Sequence, residues 1–239
     1  MFEKVVAAPA DPILGLTEEF KKDTRADKIN LGVGIYKNEQ GETPVLATVK
    51  KAEAALVETE KTKSYLTIEG TAEYGIAVQK LLFGSDAEIV NEKRAKTAQA
   101  PGGTGALRVA GEFIKRQLGD VKIWISNPTW ANHNGVFTAA GIETAQYSYY
   151  NAETKDKDFD AMLNDLQSAS EGDIVLLHGC CHNPTGIDPT AEEWETLAKL
   201  VAEKKLLPLF DFAYQGFAKG VEASELDKLM DAAAYGASI

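Results

Sequence analysis

Two periodicities alternate along this chain. Apolar runs rich in β-branched and aliphatic residues give way to longer segments whose apolar positions recur every three or four residues, and each switch carries Gly, Pro, Asn or Asp. The short runs predict strands at Ile29–Ile35, Lys96–Ala100, Val121–Ser126, Thr144–Tyr150, Asp173–Gly179 and Leu206–Phe212. The longer segments predict helices over 46–60, 70–83, 104–118, 130–140, 158–168, 190–204 and 224–234. DIVLLHG and LLPLFDFA are apolar almost throughout instead of alternating, as a parallel strand covered by helices on both faces requires. The pattern therefore predicts an α/β fold, a three-layer, doubly wound and mainly parallel sheet behind an N-terminal arm. Thr190 followed by Glu193 is a capping box for the helix that begins there. No internal repeat or low-complexity tract interrupts the rhythm.

Composition narrows the partners. The 239 residues are 44 % hydrophobic, ample for a core, and carry a formal net charge of −11. Such a charge repels phosphate backbones and anionic lipid surfaces, so neither nucleic acid nor a membrane is an expected partner. No stretch approaches the roughly 20 consecutive apolar residues of a membrane-spanning helix, and MFEKVVAAPADP lacks the apolar centre of a signal peptide. A soluble cytoplasmic protein is expected. Cys180 and Cys181 are the two cysteines, and sequence neighbours rarely meet disulfide geometry, which also suits a reducing compartment.

Open parallel sheets bind ligands at the carboxyl ends of their strands, and four such ends carry chemistry here. PGGTGALR, residues 101–108, is a Gly-rich turn entering a helix, where free N–H groups and the helix dipole can hold a phosphate. Arg108 stands where a dinucleotide fingerprint needs glycine, so a compact phosphomonoester fits better, while a turn that merely packs its helix closely is the alternative. NPTWANH, residues 127–133, sets Trp130 and His133 beside a turn, with Trp130 either packing or stacking on a planar ligand. HGCCHNPTG, residues 178–186, concentrates two of the three histidines with both cysteines. A zinc site needs four converging donors, and adjacent cysteines on an extended chain point to opposite sides, so cysteines as packing residues are favoured and no metal is expected. In DFAYQG, Asp211 interrupts an apolar run and demands a cation or hydrogen-bond donor, with backbone N–H groups or His133 as the plain solution. Tyr214 lines either core or pocket. The isomers of Asn127-Pro128 and Asn183-Pro184 are left open by sequence.

Six blocks occur in one order and spacing: INLGVGIYKNEQGETPVL, SYLTIEG, PGGTGALR, SNPTWANH, HGCCHNPTGIDPT and PLFDFAYQGFAKG. Together they resemble the fold-type I, pyridoxal-phosphate-dependent aminotransferases, in particular the aspartate aminotransferase branch. The resemblance implies residues 1–45 as arm and small-domain segment, and 46–239 as an incomplete large cofactor domain. It implies that Gly103 and Thr104 bind the phosphate of pyridoxal 5′-phosphate and that Trp130 stacks on its pyridine ring. Asp211 would pair with the ring nitrogen, supported by His133 and His178, and Asn183 and Tyr214 would hydrogen-bond the phenolic oxygen. Gly34 and Asn183 would hold the substrate carboxylate, next to Trp130. Tyr65 would reach the cofactor phosphate of a second subunit, which implies a homodimer.

The implied reaction moves the amino group of L-aspartate to 2-oxoglutarate, giving oxaloacetate and L-glutamate. An aromatic amino acid aminotransferase shares nearly all these residues and is the nearest alternative. The family's Schiff-base lysine, in a Ser-rich motif on the strand after DFAYQG, has no counterpart in this sequence, because Lys219 and Lys228 lie outside any such motif. The resemblance therefore implies a truncated chain that is inactive alone, with a non-catalytic binding or assembly module as the competing reading. A nicotinamide-dependent dehydrogenase rests on fold alone and is weakened by Arg108.

Overall fold

Each strand of the sheet alternates its side chains between two helical layers, and that alternation builds the molecule. In a computed structural model, which describes residues 12–29 and 35–218, the elements run α1 (Pro12–Lys22), α2 (Ala47–Thr59), α3 (Ala72–Phe83), α4 (Glu88–Asn91), α5 (Gly102–Leu118) and β1 (Lys122–Asn127). They continue through α6 (Asn132–Ala139), β2 (Glu143–Ser148), β3 (Tyr150–Asn151), β4 (Asp156–Lys157) and α7 (Phe159–Leu166) to β5 (Ile174–His178), α8 (Ala191–Glu203) and β6 (Leu207–Asp211). Contacts divide the chain into two units between Lys63 and Ser64. In the first unit, Lys28 caps the end of α1 by donating to the carbonyls of Phe20 and Asp23, where the helix dipole favours a cation.

The second unit holds the sheet. Four strands pair in parallel in the order β2-β1-β5-β6, and β3 with β4 forms a separate antiparallel ribbon. Ile123, Ile125, Ile174 and Leu176 point to one side and pack with Leu107 and Ile114 of α5 and Phe137 of α6. Val175 and Leu177 point to the other side, against Met162 and Leu166 of α7 and Trp194, Leu197 and Val201 of α8. β5 is buried at all five positions, so its continuous apolar sequence is the direct consequence of two covered faces. Each of these fully buried aliphatic side chains contributes about 1.5–3 kcal/mol of transfer free energy.

Polar groups fix the register. The Asp173 carboxylate, at the entry to β5, accepts from the backbone N–H of Lys122 and of Ser170 and from the Trp124 indole N–H, tying β1 to β5. The capping box of α8 forms as expected, with Thr190 accepting from the Glu193 N–H and Glu193 accepting from that of Thr190. Gly111 lets α5 approach α6, since a Cβ there would stand 3.0 Å from Ala140 Cβ.

Four of the six predicted strands form β1, β2, β5 and β6, and helices form near 46–60, 70–83, 104–118, 130–140, 158–168 and 190–204. Lys96–Ala100 is not a strand. Its partners are a loop and a helix: Gln99 N–H donates to Glu69 O, and Thr97 meets Gly75 O and the Gln79 amide. Nearly all of the predicted strand Ile29–Ile35 and the whole predicted helix 224–234 lie outside the described residues. Both Asn127-Pro128 and Asn183-Pro184 are cis. Among the described residues no helix is long and apolar enough to cross a membrane.

Gly179 is the tightest point of the sheet's carboxyl edge. Its N–H donates to Asp211 O, and a Cβ at this position would lie 1.5 Å from Cδ2 of Phe212. Gly179→Ala must displace the ring or the backbone beneath it, and is expected to cost about 1–3 kcal/mol; urea unfolding of the variant against the parent measures this.

Candidate active site

The chain lays down β1 and then β2 on one side, returns across the sheet, and continues with β5 and β6 on the other. The reversal falls between β1 and β5, and it is beyond the carboxyl ends of strands at such a reversal that α/β sheets hold ligands. β1 and β5 share only two register pairs, Ile123 with Ile174 and Trp124 with Val175. Beyond them the gap is bridged by side chains, with Ser126 Oγ 2.9 Å from His182 Nε2.

Three neighbouring strand ends deliver the ionisable groups. His178 ends β5 in register with Asp211, which ends β6. The turn after β1 carries Trp130 and leads into α6, whose second residue is His133. His133 Nε2 lies 2.9 Å from Asp211 Oδ2, and His133 Nδ1 lies 2.7 Å from Thr129 Oγ1. Trp130 stands edge-on to His133, with ring centroids 5.4 Å apart and planes at 89°. His133 is fully buried, whereas the Asp211 side chain keeps 18 % of its exposure.

Electrostatics sets the charge states. Burial alone would raise the Asp211 carboxyl, but the His133 hydrogen bond, the charges of His133 and His178, and the Ala213 N–H outweigh it and hold the group below the ordinary aspartate value. Asp211 is therefore an anion at neutral pH. Burial, with the neighbouring His133 charge, depresses His178 to about 4, and burial beside His178 depresses His182 to about 3. Both are neutral imidazoles. His182 is held from both sides, by Ser126 and by Thr185 Oγ1 at 2.8 Å, and stacks on Tyr149 at 3.8 Å. Among the described residues, the two ring nitrogens of His178 have no hydrogen-bond partner.

Ligand atoms of His133, His178 and Asp211 lie within 4.8 Å of one another, a spacing compatible with a shared cation, although a hydrogen bond already joins two of the three. The cysteines take no part in that cluster. Both are free, and burial, then the neighbouring Cys181, pushes the Cys180 thiol up to about 12, and the thiol donates to Tyr214 O.

The structure brings Trp130, His133, His178 and Asp211 together, and sets Asn183 and Tyr214, both half-buried, on the loops that follow β5 and β6. Gly103 and Thr104 are exposed in the first turn of α5, and a Cβ added at Gly103 meets nothing within 4 Å. No side chain caps this helix start among the described residues, and the N–H groups of a first turn have no intrahelical partner. Tyr65 is fully exposed, away from the cluster, and Gly34 lies outside the described residues. The sequence reading of His182 as a supporting residue agrees with its contacts to Ser126 and Thr185, whereas sequence reasoning missed Ser126 and Asp188 as supports of the Asn183 loop; the usable signal for the latter was an Asp five residues after Asn183.

A parallel sheet whose strand ends bring together an ionised aspartate, a buried histidine and an indole has the outline of an α/β ligand site. Residues 26–237 match the family model for aminotransferase class I and II, and the chain belongs to that family. It is 60 % identical over 222 residues to an aspartate aminotransferase of Escherichia coli K12, covering 93 % of this chain and 56 % of the relative. It is 48 % identical over 221 residues to an aromatic-amino-acid aminotransferase of Pseudomonas aeruginosa, covering 92 % and 55 %. The crystal structure of an aromatic-amino-acid aminotransferase from Burkholderia pseudomallei, covalently bound to pyridoxal phosphate, superposes with a TM-score of 0.91 at 45 % identity, covering 98 % of this chain and 58 % of that one. The chain thus spans a little over half the length of the relatives it matches.

The depressed histidines give the fold an acid-sensitive edge. A group whose folded value lies below its unfolded value binds fewer protons in the native state, so its stabilisation is complete above the unfolded value and is lost as pH falls. For His178, that window runs from 6.5 down to about 4, and the loss is on the order of a few kcal/mol. Thermal unfolding midpoints should fall across this range, and His178→Gln should flatten the decline.

Proposed function

We propose that this chain forms the pyridoxal 5′-phosphate-binding core of an aminotransferase that moves the amino group of L-aspartate to 2-oxoglutarate, giving oxaloacetate and L-glutamate. The observation that carries the reading is the ionised Asp211, held by buried His133 at the reversal of the sheet with Trp130 beside it. An anionic acid at this place suits a heterocycle whose nitrogen must keep a proton, because opposite charges a few ångströms apart each favour the other's ionised form. Aspartate is preferred over an aromatic substrate on the higher identity to the aspartate enzyme, 60 % against 48 %.

The donor set fits the group. Gly103 and Thr104 would take the phosphate at the start of α5, and the space around Gly103 admits it. Trp130 would cover one face of the ring, Asp211 would retain the proton on the ring nitrogen, and His133 would fix the Asp211 carboxylate with His178 as a neutral neighbour. Asn183 and Tyr214 would hydrogen-bond the phenolic oxygen, and Gly34 with Asn183 would bind the substrate carboxylate. When bound, the cofactor supplies an electron sink for negative charge at the substrate α-carbon. The family's lysine motif is not in this sequence, so the 239 residues alone are expected to bind cofactor without turnover. Residues 1–45 are assigned to the arm and small domain, and 46–239 to the cofactor domain. Tyr65, fully exposed, suits a homodimer in which it reaches the partner's cofactor. The net charge of −11 and the free cysteines suit a cytoplasmic protein without nucleic-acid or membrane partners.

Titrating the chain with pyridoxal 5′-phosphate should quench tryptophan fluorescence saturably, and Asp211→Ala should weaken the affinity by about thirtyfold or more. Equal affinity in the variant overturns the assignment of the ring nitrogen to Asp211. Transamination by the intact gene product should favour aspartate over phenylalanine by at least about tenfold, and the reverse order would move the protein to the aromatic branch.

A further inference from the structure

We propose that Asp188 is a positioning residue for the cofactor site, fixing the backbone of the loop that presents Asn183. The inference rests on the reading of Asn183 as the partner of the cofactor's phenolic oxygen.

The loop leaves β5 at His178 and must turn Asn183 toward the crevice within five residues. To do so, Cys181 adopts φ 51°, a left-handed conformation that a residue with a Cβ takes only under constraint. That constraint is visible. Asp188 Oδ2 accepts from the Cys181 N–H at 2.7 Å, and Oδ1 accepts from the His182 N–H at 2.8 Å. Successive N–H groups converging on one anion form a nest, which a left-handed residue makes possible and a carboxylate satisfies. Both donors immediately precede Asn183.

Further anchors brace the same loop from the sheet side. The His182 ring is held by Ser126 and Thr185, and the Tyr149 hydroxyl donates to Ile187 O at 2.7 Å. These contacts locate the loop, whereas the Asp188 carboxylate fixes the two successive peptide planes, 180–181 and 181–182, that lead the chain into Asn183. Half-buried Asp188 has two backbone N–H groups as its partners, which separates it from an exposed ion pair of little consequence.

Asp188→Asn is the informative change, because an amide keeps the size but offers one accepting oxygen to two donors. The probe is pyridoxamine 5′-phosphate, which needs no covalent link to the protein and whose absorption band reports ionisation of its phenol. Asn183→Ala should weaken its binding by about tenfold and shift that band. Asp188→Asn should shift the band in the same direction and weaken binding severalfold, Asp188→Glu should restore part of the loss, and the double variant should bind no more weakly than Asn183→Ala alone. Amide exchange at Cys181 and His182 should quicken in Asp188→Asn. If the losses of the two single variants multiply in the double variant, or if Asp188→Asn lowers the melting temperature while leaving the band in place, Asp188 is a structural residue and the proposal is overturned with the reading of Asn183 intact. If Asn183→Ala itself leaves affinity and band unchanged, the reading of Asn183 fails and takes the proposal with it.

Discussion

A carboxylate that must stay ionised while most of its water is removed sets the terms for this structure. Asp211 loses solvation at the end of a half-buried strand, and it is compensated by a hydrogen bond from a histidine 78 residues earlier in the chain together with the Ala213 N–H. Both partners have to be rigid for that bond to hold. His133 is fixed by Thr129 on its other nitrogen and by the first turn of α6, while Asp211 is fixed by the pairing of β6 with β5. The sheet, its two helical layers and the turn after β1 are thus conditions for the charge at one oxygen atom.

The same logic explains why the surrounding histidines are neutral. Burial lowers His178 and His182 well below neutrality, so neither adds a cation beside Asp211. Asp211 is thus an anion beside two neutral imidazoles, His178 and His182. The Cys180 thiol of HGCCH donates to the Tyr214 carbonyl, and burial pushes its titration upward.

Much of this was legible in the residues. The covered strands β5 and β6 announced themselves by unbroken apolar runs, and α8 by Thr190 and Glu193 at its start. Lys96–Ala100 misled because a short extended segment and a strand look alike until a neighbour is found for it, and its hydrogen bonds go to Glu69, Gly75 and Gln79. α5 starts at Gly102 and not at residue 104, since glycine is a poor helix former but tolerable in a first turn whose N–H groups are unpaired in any case. α1 was hidden within what read as an arm, although Pro12 at its first position suits a helix start. The pairing of His133 with Asp211 was suggested by chemistry and by resemblance, but no periodicity encodes a contact between residues so far apart. The Asp188 clamp was unreadable for a different reason: it depends on the left-handed turn at Cys181, a conformation that cysteine does not advertise.

The stack of Tyr149 on His182 belongs to a dry region that also encloses Tyr147, whose hydroxyl donates to Leu176 O. Burial raises both phenols far above the value of a free tyrosine, because neither can release its proton into a medium that would not solvate the resulting anion. In alkali, the ultraviolet signature of phenolate from these two rings is therefore withheld until the fold itself opens. They serve as built-in optical gauges of collapse, silent while the interior is sealed.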